Sequence, residues 1–239
     1  TVANEKEKLF KAAFVGDIMM GRYIEKVTDR YGYDYPFKYV EPFLQSSDYV
    51  TGNLESPVTL QDDYEAAEKS IYFQADREIV STLKKMNFTV LNFANNHAMD
   101  YYENGLLDTK RAFQQENLDL VGYGENLHDA RNNISIQEVN GFKIATLGFT
   151  DIYGKEFAVT PGSSGVLTTD PTIMLPMVAK AKKQADFVMV HMHWGIEYDA
   201  NPQPRQKKLA EALSEAGADV IIGHHPHVIS SVDVYNDTV

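Results

Sequence analysis

The chain has no cysteine. That excludes disulfides, thiolate metal sites and thiol nucleophiles. It assigns no compartment, since cytosolic and secreted proteins alike can dispense with the residue. Basic residues are in short supply, with 22 Lys and Arg against 34 Asp and Glu and a net charge of −12. A surface of that sign argues against nonspecific binding to nucleic acid or anionic lipid. Any polyanionic ligand would need a local positive patch or a cation. No apolar run approaches the roughly 18–20 residues of a membrane-spanning helix. The first ten residues, TVANEKEKLF, carry no Met and read as a polar lead-in rather than a signal peptide. Internal repeats, low-complexity tracts and obvious linkers are also missing.

What is present is an ample apolar fraction, 44%, so neither a disulfide nor a metal is needed merely to fold. Apolar runs alternate with helical patterns. Strands are predicted at 11–17, 48–55, 88–97, 118–124, 185–195 and 218–229. Helices are predicted at 76–87, 103–117, 170–184 and 204–217. Residues 133–149 read as a hairpin across Asn140-Gly141. Pro171 suits the first turn of its helix, Pro176 is a candidate kink, and Gly217 a helix stop. Asn126 reads as the cap of a short helix that starts near His128. The polar stretch 61–70 reads as a solvated loop or short helix. Strand and helix in alternation mean an α/β fold with much parallel sheet, and the hairpin adds an antiparallel part.

The polar residues sit at the strand ends. Asp17 closes the first strand, and Asn53 and Glu55 the second. Asn96 and His97 close the third, His191 and His193 the fourth, and His225 and His227 the fifth. In open α/β sheets, sites form beyond the carboxyl ends of the strands, so five such ends along one edge would share a pocket. Imidazole, carboxylate and amide oxygen together suit a divalent ion such as Mn, Fe, Zn or Mg, and two ions 3.5–4 Å apart can activate water and clamp a phosphoryl group. Each piece also has a plainer reading. Asp17 could cap a following helix, Asn95-Asn96-His97 could be a turn, and Glu55 could be a solvated loop acid. Trp194 is a wall of the site or plain core. Arg22 is a steering charge or a solvated one. Tyr31, Tyr33, Tyr35 and Phe37 are a binding lip or packing against the sheet. By strand alternation His224 points away from its neighbours and is structural.

The stretches VGDIMMGR (15–22), GNLESPVT (52–59), NFANNHAMD (92–100), HMHWGIEYD (191–199) and GADVIIGHHPHV (217–228) resemble the poly-γ-glutamate capsule biosynthesis protein family (CapA, also called PgsA). The likeness runs from about residue 11 to the end. It implies the fold of calcineurin-like metallophosphoesterases: a β-sandwich of mixed sheets flanked by helices, with one or two divalent ions at the strand ends. It implies one domain over 1–239, trimmed at both ends, with an N-terminal anchor and C-terminal strands absent. It implies a place at the outer face of the cytoplasmic membrane, with the poly-γ-glutamate polymer and membrane-bound synthetase subunits as partners and no nucleic acid. By the same likeness Asp17, Asn53, Glu55, Asn96, His193, His225 and His227 are metal ligands and His97 protonates a leaving group. His191, two residues before His193 on the same strand face, is a ligand or a supporting donor. Phosphoesterases carry a His where this chain has Met19 and an Asp where it has Asn53, so Glu55 is the candidate bridge. Two functions follow: holding the polymer's carboxylates during assembly or export, or metal-dependent hydrolysis of a phosphoester or amide.

Overall fold

In the computed structural model, residues 9–61 and 63–239 are described. Most of the polar lead-in, residues 1–8, and Asp62 of the 61–70 stretch lie outside them. Along the chain run β1 (Ala12–Ile18), α1 (Arg22–Tyr31), α2 (Glu41–Gln45), β2 (Tyr49–Leu54), α3 (Glu78–Lys85), β3 (Val90–Asn92), α4 (Tyr102–Gln115), β4 (Asp119–Val121) and β5 (Tyr123–Gly124). Then follow α5 (Leu127–Ala130), β6 (Ser135–Val139), β7 (Phe142–Thr150), β8 (Gly165–Val166), α6 (Pro171–Lys182), β9 (Phe187–His193), α7 (Pro204–Ala216) and β10 (Val220–His224).

Two four-stranded sheets form, in orders β1-β2-β3-β4 and β10-β9-β7-β6, with β5 and β8 as a small separate pair. The first sheet is all parallel. In the second only β6 runs antiparallel, joined to β7 through Asn140 and Gly141, both at positive φ as a tight hairpin turn requires. Period-two alternation then builds three apolar layers. Ile79, Val80 and Leu83 of α3 and Leu106 and Phe113 of α4 pack on the outer face of the first sheet. Met174, Val178 and Leu213, from α6 and α7, pack on the outer face of the second. Tyr49, Val90, Val121, Ile144 and Met189 fill the space between the sheets. The architecture is therefore an α/β sandwich of two sheets flanked by helices, as the resemblance implies.

Several expectations shift. The predicted strand at 88–97 is only three residues long, because Asn92 turns its side chain back to accept from the Ala94 amide and ends the ladder. The one at 118–124 splits between two sheets at Gly122, and the one at 218–229 stops at His224. Helix α1 escaped the periodicity reading. Asp17 stays in its strand and caps nothing, since α1 begins five residues later. Helix α6 continues through Pro176. Asn126 does cap α5, and Gly217 closes α7 with φ +108. Tyr31 and Tyr35 stack on each other at the surface, whereas Phe37 is buried.

Candidate metal centre

The space between the sheets changes character along its length. On β2 the inward positions run Tyr49, Thr51, Asn53; on β9 they run Met189, His191, His193. Apolar residues thus give way to polar ones toward the carboxyl ends of both strands. The five ends expected along one edge are divided between the two sheets, three on the first and two on the second. They meet because the sheets are stacked.

Asp17 reaches this interior through a bulge. Phe14 pairs with Thr51 and Asp17 with Asn53, so β1 spends three steps where β2 spends two. Unbroken alternation would have put Gly16 on that face instead. On the facing sheet, the turn after β10 holds His225 at φ +93 and His227 at φ +56. Such backbone is uncommon for residues with a Cβ and is a frequent mark of functional sites. It swings both side chains toward the sheet ends.

The donors converge. Asp17 Oδ2 lies 3.0 Å from His227 Nδ1 and accepts from the His225 amide at 3.2 Å. Asp17 Oδ1 lies 3.7 Å from His224 Nδ1 and 3.9 Å from His193 Nδ1. Glu55 Oε1 is 3.6 Å from His193 Nε2, whose other neighbour is Asn96 Oδ1 at 2.7 Å. One atom each from Glu55, His225 and His227 fall within 4.8 Å of one another, as do atoms of Asp17, Glu55 and His193. His224 Nδ1 and His225 Nδ1 are buried with no hydrogen-bond partner among the described residues. An unpartnered His224 nitrogen 3.7 Å from the Asp17 carboxylate, with the Glu55 carboxylate close to His193, His225 and His227, fits a divalent cation. Mixed nitrogen and oxygen donors suit a borderline ion.

The electrostatics agree. Glu55 is buried, and desolvation, reinforced by the charge of Asp17, pushes its carboxyl up to about 9. Burial depresses His193 and His191 well below the usual imidazole value, and His224 to about 4. His225 is lowered for the same reason. These imidazoles are therefore neutral at pH 7, as ligands must be.

Asn53 is a correction. Its Oδ1 accepts from Asn92 Nδ2 at 2.8 Å and Asn95 Nδ2 at 3.1 Å. Each of those amides is itself pinned by a backbone N–H at its oxygen, from Ala94 and His97. The Asn53 amide is thereby forced to turn Nδ2 toward Asp17, 2.8 Å away. An amide nitrogen is no ligand; Asn53 orients the carboxylate. Glu55 stands where the second acid is needed.

His97 lies at the edge of the cluster. Its Nδ1 donates to Asp100 Oδ2 at 2.8 Å, and its ring stacks on Phe73 at 3.9 Å. Asp100 is fully buried, pairs with Lys69 and accepts from the Phe73 amide. Lys69 also donates to the Asn96 carbonyl at 2.8 Å. His97 Nε2 is left without a partner among the described residues.

His191 supports rather than joins the acids: it bonds Thr51 and His224, each at 2.8 Å. Trp194 lies on the opposite face of β9, in the core against α7. Alternation from His193 decides between its two readings. Arg22 is an exposed first residue of α1 with no ion pair among the described residues. The reading of His224 as turned away also fails. As the last residue of β10 it shares the inward face with Ile222, and the backbone inversion at His225 is what brings its neighbours round to join it. Lys69 and Asp100 went unread. Asp100, three residues after His97, was the visible signal, whereas Lys69 lies in an irregular loop with no periodicity.

The family model described as bacterial capsule synthesis protein PGA_cap matches residues 11–239. The PGA biosynthesis protein CapA of Bacillus subtilis (strain 168) is 56% identical over 238 residues, covering 100% of this chain and 63% of that protein. The capsule biosynthesis protein CapA of Bacillus anthracis is 48% identical over 241 residues, covering 98% of this chain and 58% of that protein. The chain thus spans less than two thirds of the length of these relatives. Among solved structures, a Staphylococcus aureus protein provisionally classed as a 5′-nucleotidase, in complex with α-ketoglutarate, superposes with TM-score 0.48. Its sequence identity is 16%, over 78% of this chain and 38% of that one.

Proposed function

The chain belongs to the bacterial capsule synthesis protein PGA_cap family, and from that footing we propose that it serves the assembly or export of poly-γ-glutamate through a divalent-metal centre between its two sheets. The place of action we propose is the outer face of the cytoplasmic membrane, beside the membrane-bound synthetase. Among the described residues no helix is long and apolar enough to cross a membrane.

One observation carries the reading: Asp17, Glu55, His193, His225 and His227 bring their donor atoms together from both sheets. These residues would hold one ion or two, with Asn96 Oδ1 as a further oxygen donor. When bound, a divalent cation supplies the positive charge that a chain of net charge −12 otherwise lacks toward an anionic polymer, and it polarises a bound oxygen. The protein's own residues do the rest. Asn53 holds the Asp17 carboxylate in place, and the turn at 225–227 delivers two imidazoles to the rim, where His227 is partly exposed.

A second reading, hydrolysis of a phosphoester or amide, is favoured by His97. Asp100 accepts from its Nδ1 and Phe73 fixes its ring plane, so a proton on Nε2 is aimed rather than free to wander.

The test uses both cells and purified protein. A capsule-forming strain lacking the gene is complemented with Asp17→Asn or His225→Ala in the full-length protein. Loss of polymer with normal protein level supports the proposal, and wild-type polymer from both variants contradicts it. Purified protein with Mn is assayed on a generic phosphodiester and on poly-γ-glutamate. Turnover that vanishes in His97→Ala establishes the second reading. Protease accessibility of the full-length protein in intact cells tests the location.

A further inference from the structure

We propose that His224 is a further ligand of this metal centre, binding through Nδ1 on the Asp17 side, with His191 and Thr51 as the hydrogen-bonded chain that fixes its tautomer. The proposal rests on the metal reading of the pocket.

His224 is buried at the end of β10, and its Nε2 is occupied, 2.8 Å from His191 Nδ1. Its Nδ1 is buried and has no partner among the described residues. The atom facing it is Asp17 Oδ1 at 3.7 Å. That is too long for a hydrogen bond, which needs about 2.7–3.2 Å. It is close to the spacing of two donors on one ion: ligands about 2.1 Å from a tetrahedral centre sit about 3.4 Å apart. The other oxygen of the same carboxylate has His227 Nδ1 at 3.0 Å. Asp17 thus has an imidazole nitrogen before each oxygen.

The supporting chain admits the protonation that ligation needs. The rings of His191 and His224 stack at 5.1 Å, and His191 Nε2 lies 2.8 Å from Thr51 Oγ1. Two neutral imidazoles in series allow two proton arrangements. In one, His224 carries its proton on Nδ1, facing Asp17. In the other, His224 Nε2–H donates to His191 Nδ1, His191 Nε2–H donates to Thr51 Oγ1, and His224 Nδ1 is a bare lone pair. A hydroxyl accepts as readily as it donates, so Thr51 admits the second arrangement. A metal-bound histidine donates its other ring N–H to such a partner as a rule. The consequence is chemical. A neutral nitrogen is added on the Asp17 side, and the site is biased toward Zn²⁺ or Co²⁺ over Mg²⁺.

The experiment is Co²⁺ titration of the purified chain, followed by visible absorption and calorimetry. His224→Gln keeps an atom at the Nε2 position for His191 and removes Nδ1. Affinity should fall tenfold or more and the Co²⁺ spectrum should change. Thr51→Val should weaken binding about tenfold, the size of a lost outer hydrogen bond. Should His224→Gln lose its fold, the wild type decides: in ¹⁵N-histidine spectra with Zn²⁺, His224 Nδ1 should shift as a metal-bound nitrogen and Nε2 should carry the proton. Wild-type affinity and spectrum in His224→Gln, with binding lost in His225→Ala, overturn this proposal and leave the metal centre standing. A protonated His224 Nδ1 in the Zn²⁺-loaded protein overturns it equally. A wild type that binds no divalent ion overturns both.

Discussion

Replacing Glu55 by Gln should stabilise the metal-free protein, and by more as pH rises. The carboxyl is buried beside Asp17, and desolvation lifts it from 4.5 to about 9. A folded-state value above the unfolded one means that the unfolded chain ionises first. Stability then falls by about 1.4 kcal/mol for each pH unit between 4.5 and about 9, and Gln has no such dependence. Between pH 6.5 and 8.5 the advantage of Glu55→Gln should therefore widen by about 3 kcal/mol. The depressed histidines act in the opposite window. Their folded values lie below 6.5, so they remove stability only as pH falls through that value, and the alkaline side isolates Glu55. The assay is urea unfolding in excess chelator at several pH values. Parallel stability profiles for the two proteins would show that the Glu55 carboxyl is not raised by burial. With Zn²⁺ in place of chelator the order should invert, because only Glu55 can give up its proton to a metal.

Three further outcomes follow from the same geometry. Metal binding at pH 7.5 should release about one proton, from Glu55, since the buried imidazoles are already neutral; calorimetry in buffers of different ionisation enthalpy measures this, and zero release contradicts it. Gly148→Ala should destabilise by about 1–3 kcal/mol and weaken metal binding together. Its Cβ would fall 1.8 Å from Asn92 Oδ1, and Asn92 holds Asn53, which holds Asp17; melting and Co²⁺ titration of the same sample check both effects. In the hydrolytic reading, Asp100→Asn should lower kcat about 10²-fold with little change in KM, because it loosens His97 and touches no metal donor. An unchanged kcat would remove His97 from the chemistry.

The sequence made the layers legible because alternation and helical spacing act locally. Asp17, Glu55, His193, His225 and His227 could be listed because they sit where strands end. What escaped depends on one-residue irregularities. The bulge in β1 moves Asp17 to the interior, and the inversion at His225 reverses the alternation that had sent His224 outward. Neither leaves a periodic trace. Asn53 looked like a ligand by position. Its orientation is set by Asn92 and Asn95, two amides anchored 39 and 42 residues away, and no spacing rule reveals that. Division of the site between two sheets was likewise invisible to strand counting, since sheet membership is a property of pairing.

The proposed metal centre requires that donors from two sheets share one pocket. Anomalous scattering from crystals grown with Zn²⁺ or Mn²⁺ tests it most directly. One or two strong peaks are expected, bounded by Asp17, Glu55, His193, His225 and His227, each within coordination distance of at least three of their donor atoms. Crystals that take up the ion elsewhere and show none between these residues would contradict it.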